Sequence, residues 1–127
     1  MKLMTKEIEK KLIEKPLRST EGEGLNAECI VKYYNPYGRG TWLISEGSKR
    51  ENGDWELFGL CCITDWEFGS VFLSDLESIE FPWGSGIERD RYAHGTIGEL
   101  AAELGYYSYD DYEVEDEPTY NAEEEER

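Results

Sequence analysis

Cys29-Ile30-Val31-Lys32-Tyr33-Tyr34-Asn35-Pro36-Tyr37-Gly38-Arg39-Gly40-Thr41-Trp42-Leu43-Ile44-Ser45-Glu46 is the stretch that decides the fold. From Ala27 the apolar pattern takes a period of two, and Cys29 to Tyr34 is dense in β-branched and aromatic side chains that suit a pleated surface. Asn35 to Gly40 is turn chemistry: proline presets one backbone dihedral and glycine permits the positive one. Thr41 to Glu46 resumes the alternation, so the whole reads as a β-hairpin. Beyond a polar loop from Gly47 to Asp54, Trp55 to Thr64 is the longest and most apolar strand candidate and is expected in the middle of the sheet. Asp65 to Gly69 reads as a turn and Ser70 to Phe72 as a short fourth strand. The main strands are thus expected near 28–34, 41–46 and 55–64.

On either side the period is helical. Thr5 is a plausible N-cap for a helix near 5–15, with Ile8, Leu12 and Ile13 on one face and Pro16 ending it. Ser19-Thr20-Glu21-Gly22-Glu23-Gly24 follows as a glycine-punctuated loop. Ser74 to Ser78 reads as one helical turn capped by Ser74, with Glu77 at the capping-box position, and Ile79 to Trp83 as a short extended piece. Thr96 and Glu99 form a capping box that opens a helix near 97–104, closed by Gly105. The fold class expected is α+β: an antiparallel meander flanked by an N-terminal and a C-terminal helix. The helices are expected on one face, leaving sheet surface open for binding. Residues 1–109 are expected to form a single domain, and 110–127 a mobile acidic tail.

Composition narrows the class. A chain of 127 residues with 39% hydrophobic and 13% aromatic residues has enough apolar area for one domain. No apolar run approaches the roughly 20 residues of a membrane-spanning helix, and the first residues lack the apolar core of a signal peptide. Three cysteines, two of them adjacent (Cys61, Cys62), do not make a disulfide framework, so a cytoplasmic protein with reduced thiols is expected, without structural metal or cofactor. Charge is the loudest signal: 29 acids against 13 bases leave −16. The first twenty residues are net basic, whereas from Asp110 onward ten acids face only Arg127. Such a chain repels nucleic acid and attracts basic surfaces over roughly 8 Å at physiological salt.

Several motifs recur in a familiar order. They are Leu3-x-Thr5-Lys6-Glu7, the 19–24 loop, Val31-Lys32-Tyr33-Tyr34-Asn35-Pro36, Thr41-Trp42, Leu57-Phe58-Gly59-Leu60, Leu73-Ser74-Asp75-Leu76-Glu77-Ser78 and Ile87-Glu88-Arg89-Asp90. Together they resemble the DUF2958 family of small proteins from bacterial mobile elements, up to about Leu104; the acidic extension departs from the shorter members. The resemblance transfers no catalytic residue. It implies a mobile-element setting, where inhibitors of host defence are common, and anti-CRISPR action on type II RNA-guided nucleases.

Residue by residue, chemistry is thinly signalled. His94 is the only histidine and has no nucleophile beside it, and the cysteines at 29, 61 and 62 lack metal-ligand spacing. Cys61 and Cys62, adjacent on a strand, are expected to point to opposite faces as small buried hydrophobes. Glu21-Gly22-Glu23-Gly24 lacks the Lys-Ser/Thr of a P-loop. Asp65, Glu67, Glu88 and Asp90 are a cation site only if the fold gathers them. The leading expectation is therefore a non-enzymatic, DNA-mimicking inhibitor that occupies the basic channel of a defence nuclease, with no direct nucleic-acid contact. Its candidate partner-binding residues are Tyr106, Tyr107, Tyr109, Asp110, Asp111, Tyr112, Glu113, Glu115, Asp116 and Glu117. The alternatives are a small-ligand site or enzyme built from Glu21, Trp42, Glu88, Asp90 and His94, and an accessory subunit of plasmid or conjugative machinery.

Overall fold

The computed structural model describes residues 2–106. Within them lie strands β1 (Val31–Tyr34), β2 (Thr41–Lys49), β3 (Trp55–Cys62), β4 (Trp66–Phe72) and β5 (Glu88–Arg89), and helices α1 (Lys6–Ile13), α2 (Leu73–Glu77) and α3 (Ile97–Glu103). The strands form one antiparallel sheet in the order β4-β3-β2-β1-β5. β1 to β4 are successive hairpins, so the expected α+β meander is the observed architecture. β5 adds a short edge beside β1 that sequence reading did not anticipate. The middle position belongs to β2 rather than to the more apolar β3.

Two-residue alternation splits the core between the sheet's two faces. On one face Tyr33, Trp42, Ile44 and Leu57 pack with Ile8 and Leu12 of α1 and with Leu73 and Leu76 of α2. The intervening Leu43 and Leu60 pack on the other face with Ile97, Leu100 and Ala101 of α3. Helices therefore cover both faces, not one as expected. The strands carry apolar residues at both parities, and each set needs its own cover. Fully burying Leu12 contributes about 2 kcal/mol.

α1 begins as read, with the Thr5 hydroxyl accepting from the Ile8 amide at 3.2 Å. It ends at Ile13, and Ile13 is 66% exposed. Ile8 and Leu12 stand one turn apart and share the core-facing stripe, whereas Ile13 lies about 100° round from Leu12. α3 carries the full capping box of Thr96 and Glu99. It closes with Tyr106 donating to Ala101 O at 3.0 Å and Gly105 to Ala102 O at 3.0 Å, while Gly105 takes φ +95°. That pairing is a Schellman motif, with Leu104 as the C-cap and glycine in the left-handed position that follows.

Other expectations are corrected. β1 starts at Val31 rather than 28, because Cys29 donates to Gly95 O at 2.8 Å and Ala27 O accepts from Ile97 at 2.8 Å. Glu28 and Cys29 thus seat α3, while Ile30 still donates to Ile44 O at 2.7 Å. β2 runs on to Lys49, through residues read as loop. β4 occupies Trp66 to Phe72, most of which had been read as turn, because every one of its residues finds a register partner on β3. α2 has Phe72 at its N-cap and no cap from Ser74. The carboxylate of Asp54, distant in sequence, takes that place, accepting from the Ser74 amide at 3.1 Å and hydroxyl at 2.6 Å. Cys61 and Cys62 are half-buried rather than buried: Cys61 packs against the core on the α1 and α2 side, and Cys62, adjacent on the strand, stands opposite Trp66 in register.

Candidate interaction surface

Of the ten residues expected to bind a partner, Tyr106 is described. Its ring lies against Trp66 with centroids 5.5 Å apart, anchoring the end of α3 to the edge strand. Tyr107, Tyr109, Asp110, Asp111, Tyr112, Glu113, Glu115, Asp116 and Glu117, with the rest of the 110–127 segment, lie outside the described residues.

The alternative pocket of Glu21, Trp42, Glu88, Asp90 and His94 is not assembled. Trp42 is buried in the core beneath the helices. Glu88 and Asp90 sit at the β5 edge, where Glu88 accepts from the Tyr34 hydroxyl at 3.2 Å and Asp90 pairs with Lys32 at 3.4 Å. Burial above all, reinforced by that hydrogen bond to Glu88, raises the Tyr34 phenol above its ordinary pKa. The His94 Nδ1 lies 3.2 Å from the Tyr92 carbonyl. Glu21 lies elsewhere, in a groove with Arg18, Glu46, Glu56, Phe58 and Ser70 of the β3–β4 side. The four-carboxylate cation site fails similarly. Asp65 and Glu67 belong to the β3–β4 hairpin and Glu88 and Asp90 to the opposite edge, and strand order separates them. Burial pushes the Cys29 thiol up to about 12 and the Cys61 thiol up to about 11, so neither supplies a thiolate near neutral pH.

The groove beside Glu21 encloses about 310 Å³ and is built on a sheet irregularity. The β2–β3 register slips between Ile44 and Glu46, a β-bulge that sets Glu46 opposite Phe58. Without it, alternation would aim Glu46 into the apolar core under α1. Instead the carboxylate is buried against the loop after α1. It accepts from the Arg18 amide at 2.6 Å, the Thr20 amide at 2.8 Å and the Thr20 hydroxyl. Arg18 takes φ +78°, a left-handed conformation costly for a side chain of that size. Glu46 thus satisfies the buried Thr20 donors and, through the Arg18 amide, holds that backbone. Its acceptors are occupied by its own chain.

A second feature faces solvent. Phe81, Pro82, Trp83 and Gly84 form a tight turn closed by Gly84 donating to Phe81 O at 2.8 Å, with proline at its second position. Tyr37, in the β1–β2 turn, is ordered by its own amide donating to the Asn35 side chain at 2.8 Å. The two turns meet. Tyr37 lies edge-on to Phe81 at 5.3 Å and to Trp83 at 5.1 Å, while Phe81 and Trp83 stack at 5.6 Å with planes 10° apart. The Tyr37 hydroxyl donates to Ser85 Oγ at 3.0 Å. Yet Trp83 is 60% exposed and Tyr37 52%. A groove of about 200 Å³ adjoins this cluster through Ser85, walled by Gly84 to Ile87 and lined also by Glu77 and Glu80. Sequence reading missed the cluster. Phe81 to Trp83, expected as the end of an extended piece, instead bends into the Phe81–Gly84 turn, and its meeting with Tyr37 needed the tertiary fold.

The family described as Protein of unknown function (DUF2958) matches residues 3–111. No curated protein and no solved structure matches the chain.

Proposed function

The chain belongs to the DUF2958 family, and on that premise we propose that it binds a basic, nucleic-acid-handling protein directly and inhibits it without chemistry of its own. The observation that carries this reading is the charge of −16. Both parts of the chain contribute. Residues 2–106 hold nineteen acids against twelve bases, and the remainder adds ten acids and Arg127. Carboxylates in series take the place of phosphates in a channel lined with lysine and arginine, and their field speeds encounter. Ordered, exposed aromatic rings supply the short-range contact that slows release.

The specific case is an anti-CRISPR protein from a mobile element acting on a type II RNA-guided nuclease. Its test is DNA cleavage by such an effector, with and without the protein, at low and moderate salt. Inhibition by a stable complex, weakening steeply as salt rises, is the expected result. Undiminished cleavage at saturating protein, with no complex detected, removes that target.

A further inference from the structure

We infer that Tyr37, Phe81 and Trp83, with Glu77 and Glu80 in the adjoining groove, form a docking surface for an arginine side chain of a basic protein segment. The inference deepens the inhibitor reading and rests on it for the partner's basic character. Three observations support it. First, the rings are exposed but already ordered: stacking, the Tyr37–Ser85 hydrogen bond and the Pro82 turn hold them, so little conformational freedom remains to be lost on binding. Second, the charge that lines the groove itself is acidic, with Lys2 and Arg89 outside that lining. Glu77 and Glu80 line the groove, and no lysine or arginine does among its described residues. Third, the cluster and the groove share Ser85, which lines the groove and accepts from the Tyr37 hydroxyl, and the Gly84 to Ile87 wall continues directly from Trp83.

That combination fits a guanidinium better than an ammonium. The planar, weakly hydrated arginine head stacks on an aromatic face while its N–H groups reach a carboxylate in the same plane. Lysine, a compact and strongly hydrated charge, forfeits the stacking. A phosphate or a nucleic acid is repelled by the same carboxylates.

The test uses the full chain and two probes, a short oligo-arginine peptide and an oligo-lysine peptide of equal length. The titration is run in about 0.3 M salt, where long-range attraction to the acidic chain is screened. Tryptophan indole N–H resonances are followed by NMR, and Trp83→Phe identifies the Trp83 signal. The Trp83 signal should shift on titration, and the arginine peptide should bind about tenfold tighter than the lysine peptide. Trp83→Ala, and separately the double variant Glu77→Gln with Glu80→Gln, should each weaken arginine binding about tenfold with unchanged melting temperature. An unmoved Trp83 signal, equal affinity for the two peptides, or full arginine binding by Trp83→Ala overturns the docking surface. None of these touches the inhibitor reading, which fails separately if effector cleavage is undiminished while Trp83-dependent arginine binding persists.

Discussion

Two turn-rich connections on this small sheet solve opposite problems. The loop from Pro16 to Gly24 is held from within. The buried Glu46 carboxylate accepts two of its amides and a hydroxyl, and the strained Arg18 backbone persists because that network fixes it. The segment from Ile79 to Gly86 is held by its own surface, ring against ring, with Trp83 and Tyr37 left largely in water. The same residue types do different work in the two places. Glu46 is structural because its acceptors are filled, whereas Glu77 and Glu80 border an open groove. Trp42 is core, whereas Trp83 is presented. Counting acids or aromatics in this chain says little until each is sorted by what already satisfies it.

The comparison breaks most easily at its tryptophans. Trp42→Ala empties a core position beneath the helices and should cost about 4 kcal/mol in chemical denaturation. A loss below about 1 kcal/mol would mean that this face is not the principal core. Glu46→Ala should cost about 3 kcal/mol, because the buried Thr20 amide and hydroxyl, and the part-buried Arg18 amide, then lose their acceptor. Amide exchange at both residues should accelerate. Unchanged protection there would show that the loop does not depend on the carboxylate.

Asp54→Asn sharpens a subtler point, the capping of α2 from a distance. The Ser74 hydroxyl above all, with the amides of Trp55 and Ser74, holds the Asp54 carboxyl below the ordinary aspartate range. A carboxyl depressed in the folded state adds stability that is complete above its unfolded pKa, about 3.9, and is lost as pH falls through the lower folded value. The wild-type melting temperature should therefore exceed that of Asp54→Asn at neutral pH, and the gap should close below about pH 4. A gap independent of pH would assign the effect to shape alone. The smallest expected effect is Trp83→Ala, within about 0.5 kcal/mol of wild type in stability. A loss near that of Trp42→Ala would make the exposed cluster part of the core and erase the distinction between the two connections.

Much of the fold was legible because its signals are local. Thr5, and Thr96 with Glu99, sit within one helical turn of the amides they cap, so their sequence neighbours suffice to read them. The alternation from Val31 to Cys62 announced three strands for the same reason. Ser74 misled because its local capping geometry lost to Asp54, 20 residues away. β4 was underread because an edge strand, half in solvent, has little apolar pattern to show; pairing with β3 makes it a strand.

The sequence by itself determined the α+β class, the caps that open α1 and α3, the β1–β2 turn and the acidic charge, all of which follow from composition or neighbouring residues. Only the tertiary structure decided which carboxylates are spent and which are open, and which rings face water. Those outcomes depend on contacts between residues far apart in the chain. Glu46 reaches Arg18 across 28 positions and Tyr37 reaches Ser85 across 48, and no local pattern encodes a partner at that distance.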